Sequence, residues 1–168
     1  TARMAAANRS SRPSARTARG LTRRSPRICY RSAVRSVQRQ YAPQNRCFGC
    51  GPANEQGLRI ESRLDGDELV ADFVPAPHHL AFEGIVNGGI LGTLLDCHSN
   101  WTAAWHLMQQ NGLETPPCTV TAEFHVKLRK PTPTDGPVHL SARVVESSAS
   151  KAVVEATLSA RDEVTATC

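Results

Sequence analysis

Apolar and polar positions along this chain follow a period of two, then a helical period, then two again, and the changes mark its elements. Leu58 to Arg63 and Glu68 to Val74 are strand-length runs on either side of Asp65-Gly66, a pair suited to a hairpin turn, so two strands are expected there. Pro75-Ala76-Pro77-His78-His79 breaks the pattern and opens a loop that leads to Asn87-Gly88-Gly89. From the glycines to about Gln110, Ile90, Leu91, Leu94, Leu95, Trp101, Ala104, Trp105 and Leu107 are spread around a helical axis rather than along one stripe. That distribution predicts a long helix buried on most sides, ended by Asn111-Gly112. Val120, Ala122, Phe124, Val126 and Leu128 then alternate with Thr119, Thr121, Glu123, His125 and Lys127, which predicts a long strand with one buried face. Beyond the Pro131–Gly136 loop, two more strands should turn Val138, Leu140, Ala142, Val144 and Ala152, Val154, Ala156, Leu158 inward, and Val164 to Cys168 begins another that is cut short, leaving an open edge.

A hairpin, one long helix and an antiparallel meander make an α+β fold, a sheet wrapped around one buried helix, rather than an alternating parallel one. No internal repeat interrupts that order. Residues 47–168 are enough for one domain with one core.

Composition divides the chain. Residues 1–46 hold twelve of the 20 basic residues, all arginine, and no acid. The remaining eight basic residues face all 15 acidic ones in residues 47–168, a formal charge of −7. The basic character therefore belongs to a tail expected to be disordered, and neither a nucleic-acid-binding fold nor a nucleic-acid partner follows from it. No apolar run approaches the roughly 18 residues needed to cross a bilayer, so a soluble protein without a membrane partner is expected. Six cysteines at 29, 47, 50, 97, 118 and 168 lack the regular framework of a small secreted fold and suit a reducing compartment.

The chemistry concentrates at the helix start. Two glycines let the backbone turn tightly and leave free N–H groups at the positive end of the helix. Seven residues after Gly89 comes Asp96, an acid in an otherwise apolar helix on the same face, and a carboxylate there is costly without a partner or a task. Oxyanion donors with a carboxylate nearby suit acyl transfer. The alternative is a structural acid satisfied by Asn100 four residues on, or by a backbone donor. Asn87 can offer its side-chain amide to a carbonyl or simply tolerate the turn before two glycines. His79 is the loop histidine expected to reach the site as a donor or acid, with His78 exposed. Cys97 and His98 are adjacent on a helix, point apart and cannot form a nucleophile pair; Cys97 reads as a packed thiol.

The glycine pair, Asp96 at this spacing and the upstream Cys47-Phe48-Gly49-Cys50-Gly51-Pro52-Ala53-Asn54-Glu55-Gln56-Gly57-Leu58 resemble the hotdog-fold acyl-CoA thioesterases of the PaaI-like superfamily, over about residues 47–168. Most of that superfamily has His-Gly-Gly where this chain has Asn87-Gly88-Gly89. The resemblance implies hydrolysis of acyl-CoA with no metal or organic cofactor, by a homodimer or homotetramer with shared sites. It makes Asp96 the general base or nucleophile, and the N–H of Gly88, with Gly89 beside it, the oxyanion hole. It also aligns Thr121, ten residues before Pro131, with a Ser or Thr that positions water or the nucleophile. Strand alternation puts Thr121 on the polar face, away from its own helix. The site is therefore expected to take Asp96 and Gly88 from one chain and Thr121 from the other. Lys127, Arg129 and Lys130 at a strand end would hold coenzyme A phosphates or form an ordinary solvated face. Trp101 would line the core or an acyl pocket. A non-catalytic acyl-CoA-binding domain and a hotdog dehydratase or hydratase are the alternatives.

The tail is a transit peptide, an arm for acidic partners, or upstream sequence translated in error. The abrupt onset of resemblance near Arg46 favours the last, with a cytoplasmic location; a transit peptide would direct the protein to the mitochondrial matrix. Cys47 and Cys50 have the spacing of metal ligands or a redox pair. A second such pair is missing, and Cys97 and Cys118 sit in contexts unsuited to a closed four-ligand zinc site, so no metal is expected. A site shared with His78 or His79, or between subunits, is the alternative.

Overall fold

The computed structural model describes residues 35–168; the rest of the basic tail lies outside the described residues. A short helix α1 (Val37–Tyr41) is followed by strands β1 (Arg63–Asp65) and β2 (Glu68–Phe73), the small ribbon β3 (Leu80–Phe82) and β4 (Ile85–Val86), and the central helix α2 (Gly88–Gln110). Strands β5 (Lys127–Leu128), β6 (Val138–Ser147), β7 (Ala152–Ala160) and β8 (Glu163–Thr167) complete the chain. Six strands form one sheet in the order β1-β2-β6-β7-β8-β5, every neighbour antiparallel. Helix α2 packs against β2, β6 and β7. This is the hotdog arrangement.

Helix α2 begins where the glycines predict. Asn87 caps it, its side-chain oxygen accepting the Gly89 N–H at 2.8 Å, and Asn111 ends it. Leu94 and Leu95 are fully enclosed beneath Leu140 and Leu158. Each such side chain contributes about 1.5–3 kcal/mol by leaving water. Along β6 the buried positions are Val138, Leu140 and Ala142, as alternation predicts, with a bulge after Val144.

The structure departs from the sequence reading in several features, and the strand expected over Leu58–Arg63 forms only from Arg63 to Asp65. The start of packed structure lies before residue 47. Val37 and Gln38 are buried, because Gln38 makes two side-chain hydrogen bonds to Ser62, whose hydroxyl bonds His98 on α2 at 2.8 Å. The long strand expected over residues 119–128 shrinks to Lys127–Leu128; Val120 stays 84% exposed and Phe124 39%, since nothing among the described residues covers that side. Strand β8 is not an open edge, because β5 pairs with it on one side and β7 on the other. Among the described residues no helix is long and apolar enough to cross a membrane.

Candidate active site

A cleft of about 770 Å³ opens along one face of α2. Asp96, Cys97, Asn100, Trp101 and Ala104 line it from the helix, a set at helical spacing on adjoining faces. The opposite wall is the stretch from Thr115 to Thr121, and Cys47 and Cys50 also line the cleft. Two hydrogen bonds clamp that wall to the helix: Thr119 Oγ1 donates to Asn100 Oδ1 at 3.0 Å, and Thr121 Oγ1 donates to Asp96 Oδ1 at 2.7 Å. The second corrects the expected partition between subunits. Freed from a continuous strand, the Thr115–Thr121 stretch lines the cleft and lets Thr121 reach Asp96 of its own chain.

The helix start lies elsewhere. Eight residues separate Gly88 from Asp96, and at 1.5 Å per residue that is about 12 Å along the axis. That rise is a long reach for a single carbonyl to bridge within one chain. Asn87 takes the Gly89 N–H, so that group is already engaged and Gly88 carries the available donor. At Gly88 a Cβ would stand 3.0 Å from Leu128 Cδ1, so β5 approaches the turn closely.

His79 does not line the cleft. Its Nδ1 accepts the Ala76 N–H at 2.9 Å, its carbonyl accepts the Asn87 N–H at 2.8 Å, and its ring lies 5.2 Å from that of Phe73. Burial, with His78 beside it, lowers its pKa, so the ring is neutral and holds the loop that presents Asn87. The basic residues divide. Lys127 and Arg129 line a second cleft of about 600 Å³ with His125 and Glu155; Arg129 also donates to Thr167 Oγ1 at 3.2 Å, while Lys130 pairs with Glu163. Trp101 is buried and lines the first cleft at the same time.

Sequence reasoning missed what gathers on the lining of that cleft. Cys97 Sγ lies 3.7 Å from Cys47 Sγ, and the sulfurs of Cys47, Cys50 and Cys97 all lie within 4.8 Å of one another. Gly49 lays the loop directly on α2 and so brings Cys97 to Cys47 and Cys50. A hydrogen bond from Cys97 brings the Cys50 thiol down to about 6 against burial, with help from Trp101 and Cys47. The same contact and burial push the Cys97 thiol up. The Cys-x-x-Cys spacing was a readable signal; its third partner was not.

Comparison with known proteins agrees with the fold. The family model described as thioesterase superfamily matches residues 83–167. A thioesterase superfamily protein from Shewanella loihica is similar at 31% identity and a TM-score of 0.55, covering 69% of this chain and 90% of its own. A phenylacetic acid degradation-related protein from Ralstonia eutropha is similar at 21% identity and a TM-score of 0.58, covering 79% and 94%. A Bacillus halodurans protein solved with CoA is similar at 24% identity and a TM-score of 0.53, covering 66% and 70%. No curated protein matches the chain. With a sheet wrapped on one central helix, an acid facing a cleft on that helix and a family match over half its length, the chain belongs to the thioesterase superfamily.

Proposed function

We propose that the protein hydrolyses acyl-CoA thioesters to the free acid and coenzyme A, as a homodimer or homotetramer with each site shared by two subunits. The observation that carries this reading is Asp96, half-buried on the central helix, facing the cleft and held by the Thr121 hydroxyl. One carboxylate oxygen is oriented and the other is left to act. As a general base it takes a proton from water as that water attacks the thioester carbonyl. As a nucleophile it attacks the carbonyl itself, and water then opens the mixed anhydride. In both cases the C–S bond breaks and the coenzyme A sulfur leaves, taking a proton. The developing oxyanion needs an N–H donor at the reacting carbon, and the 12 Å rise keeps a chain's own Gly88 about two turns too far away. Gly88 of the partner subunit supplies it in this reading.

Lys127 and Arg129, with Lys130 beside them, suit the coenzyme A phosphates, and a fold neighbour was solved with CoA. Trp101 faces the acyl group. A panel of aromatic and aliphatic acyl-CoA thioesters with thiol detection tests the reading. Release of coenzyme A by wild-type protein, lost in Asp96→Asn, is the expected result. Tight binding without release from any thioester would identify an acyl-CoA-binding module, and hydration of an enoyl-CoA would identify a hydratase.

A further inference from the structure

The three sulfurs on the lining of the cleft form a site of their own. Residues 45–51 turn back on themselves: Asn45 Oδ1 accepts the Cys47 N–H at 2.8 Å and Cys47 O accepts the Gly51 N–H at 2.9 Å. Only glycine fits at two points of this turn. A Cβ on Gly51 would stand 2.5 Å from Cys47 N, and one on Gly49 would stand 2.3 Å from Cys97 Sγ and 2.8 Å from Thr93 Cγ2. Both glycines therefore serve convergence, one closing the loop on itself and the other pressing it against Cys97.

The spacing that results matches a particular chemistry. A tetrahedral zinc with Zn–S bonds of about 2.3 Å holds its sulfurs about 3.8 Å apart. Cys47 and Cys97 stand at 3.7 Å, and Cys50 completes a triangle whose edges stay within 4.8 Å. A disulfide needs sulfurs at about 2.05 Å, and all three cysteines are free thiols. Soft thiolate ligands select zinc-class cations over calcium or magnesium. We propose that Cys47, Cys50 and Cys97 bind one zinc-class divalent cation, with its fourth position open to water in the cleft. Binding releases the thiol protons to solvent, and three thiolates around a divalent ion leave a single negative charge. Cys47 is exposed at the cleft wall, so the ion has a way in. The ion ties the loop between α1 and β1 to the middle of α2, so that one wall of the cleft is fixed by coordination. This role is independent of the hydrolytic reading.

The test uses the full chain, reduced, stripped of metal and titrated with Co²⁺ alone. Sulfur-to-cobalt charge-transfer and tetrahedral ligand-field bands should appear together and saturate at about one equivalent, and Zn²⁺ should bleach them. Cys50→Ser and Cys97→Ser should each lose the bands, whereas Cys118→Ser, on the facing wall, should keep them. Removing zinc from wild-type protein should lower its melting temperature by several degrees. Absence of saturable cobalt binding in the wild type, bands that require Cys118 in place of Cys97, or a disulfide among the three in protein alkylated on isolation would each overturn the assignment.

Discussion

Asp96 and His98 stand two positions apart on one helix and solve opposite problems. Asp96 opens to the cleft and receives one hydroxyl, so Asp96→Asn keeps that hydrogen bond and the fold while losing the charge. Turnover should fall about 10²- to 10⁴-fold, the usual contribution of a positioned base or nucleophile. Thr121→Ala should cost less, about ten- to a hundredfold, because it removes the orienting hydroxyl and leaves the acid. Full activity in Asp96→Asn would remove that residue from the chemistry. His98 is enclosed: Nε2–H donates to Leu69 O at 2.9 Å, and Nδ1 must stay bare to accept the Ser62 hydroxyl. Burial brings its pKa down to about 4. The unfolded chain takes up this proton near pH 6.5 and the folded one near 4, so stability is full above about 6.5 and is lost as pH falls through that window. The total is on the order of 3 kcal/mol. Urea midpoints measured from pH 7 to 4.5 should drop more steeply for wild type than for His98→Gln, which lacks the titrating ring.

Among the elements, the stretch from Cys118 to Val126 departs most from its own pattern. Its alternation is that of a buried strand, yet Val120 and Phe124 face solvent in the single chain. Periodicity reports that a face will be covered and not which molecule covers it. Pairing with the same stretch of a second copy would satisfy the pattern. Phe124→Arg should therefore shift the protein to monomer in sedimentation and abolish turnover together; an unchanged oligomer would show that another surface joins the subunits. Helix α2 and strands β6 and β7 were legible because each buries its apolar positions against its own chain. Leu58 and Ile60 show the intermediate case: both are buried as the pattern implies, but their N–H groups bond Phe48 O and Gly49 O, so they run as a loop beside the cysteine turn instead of as a strand. For the candidate site, residue types are legible in the sequence and contacts are not. Asp96, Gly88 and Thr121 are visible by type and spacing, whereas which of them meet depends on a helical rise of about 12 Å and on where the Thr115–Thr121 stretch lies. Cys97 was hidden for a related reason, since a contact between residue 97 and residues 47–50 is set by packing and not by spacing.

For the whole molecule, the shared-site reading turns on which chain supplies each part. Gly88→Pro isolates the oxyanion donor. Position 88 is the first of the helix, where proline is favoured and the N–H has no partner within the helix. Asn87 already has φ −62° and ψ 134°, the extended conformation that a following proline requires. The added Cβ meets only Leu128 Cδ1, the far end of a flexible side chain. The variant should fold and lose about 10²- to 10³-fold in turnover through the missing donor. Mixing inactive Gly88→Pro and Asp96→Asn subunits then discriminates between arrangements. If Asp96 works with Gly88 of the partner subunit, each mixed dimer has one site with both defects and one intact. Equal mixing should restore about a quarter of wild-type turnover, since half the dimers are mixed and half their sites are whole. Asp96→Asn mixed with Thr121→Ala should recover nothing, because those two residues serve one site from one chain and every mixed site keeps a defect. Recovery in the second mixture and none in the first, with subunit exchange verified by a tag on one variant, would return Thr121 to the partner's side of the interface.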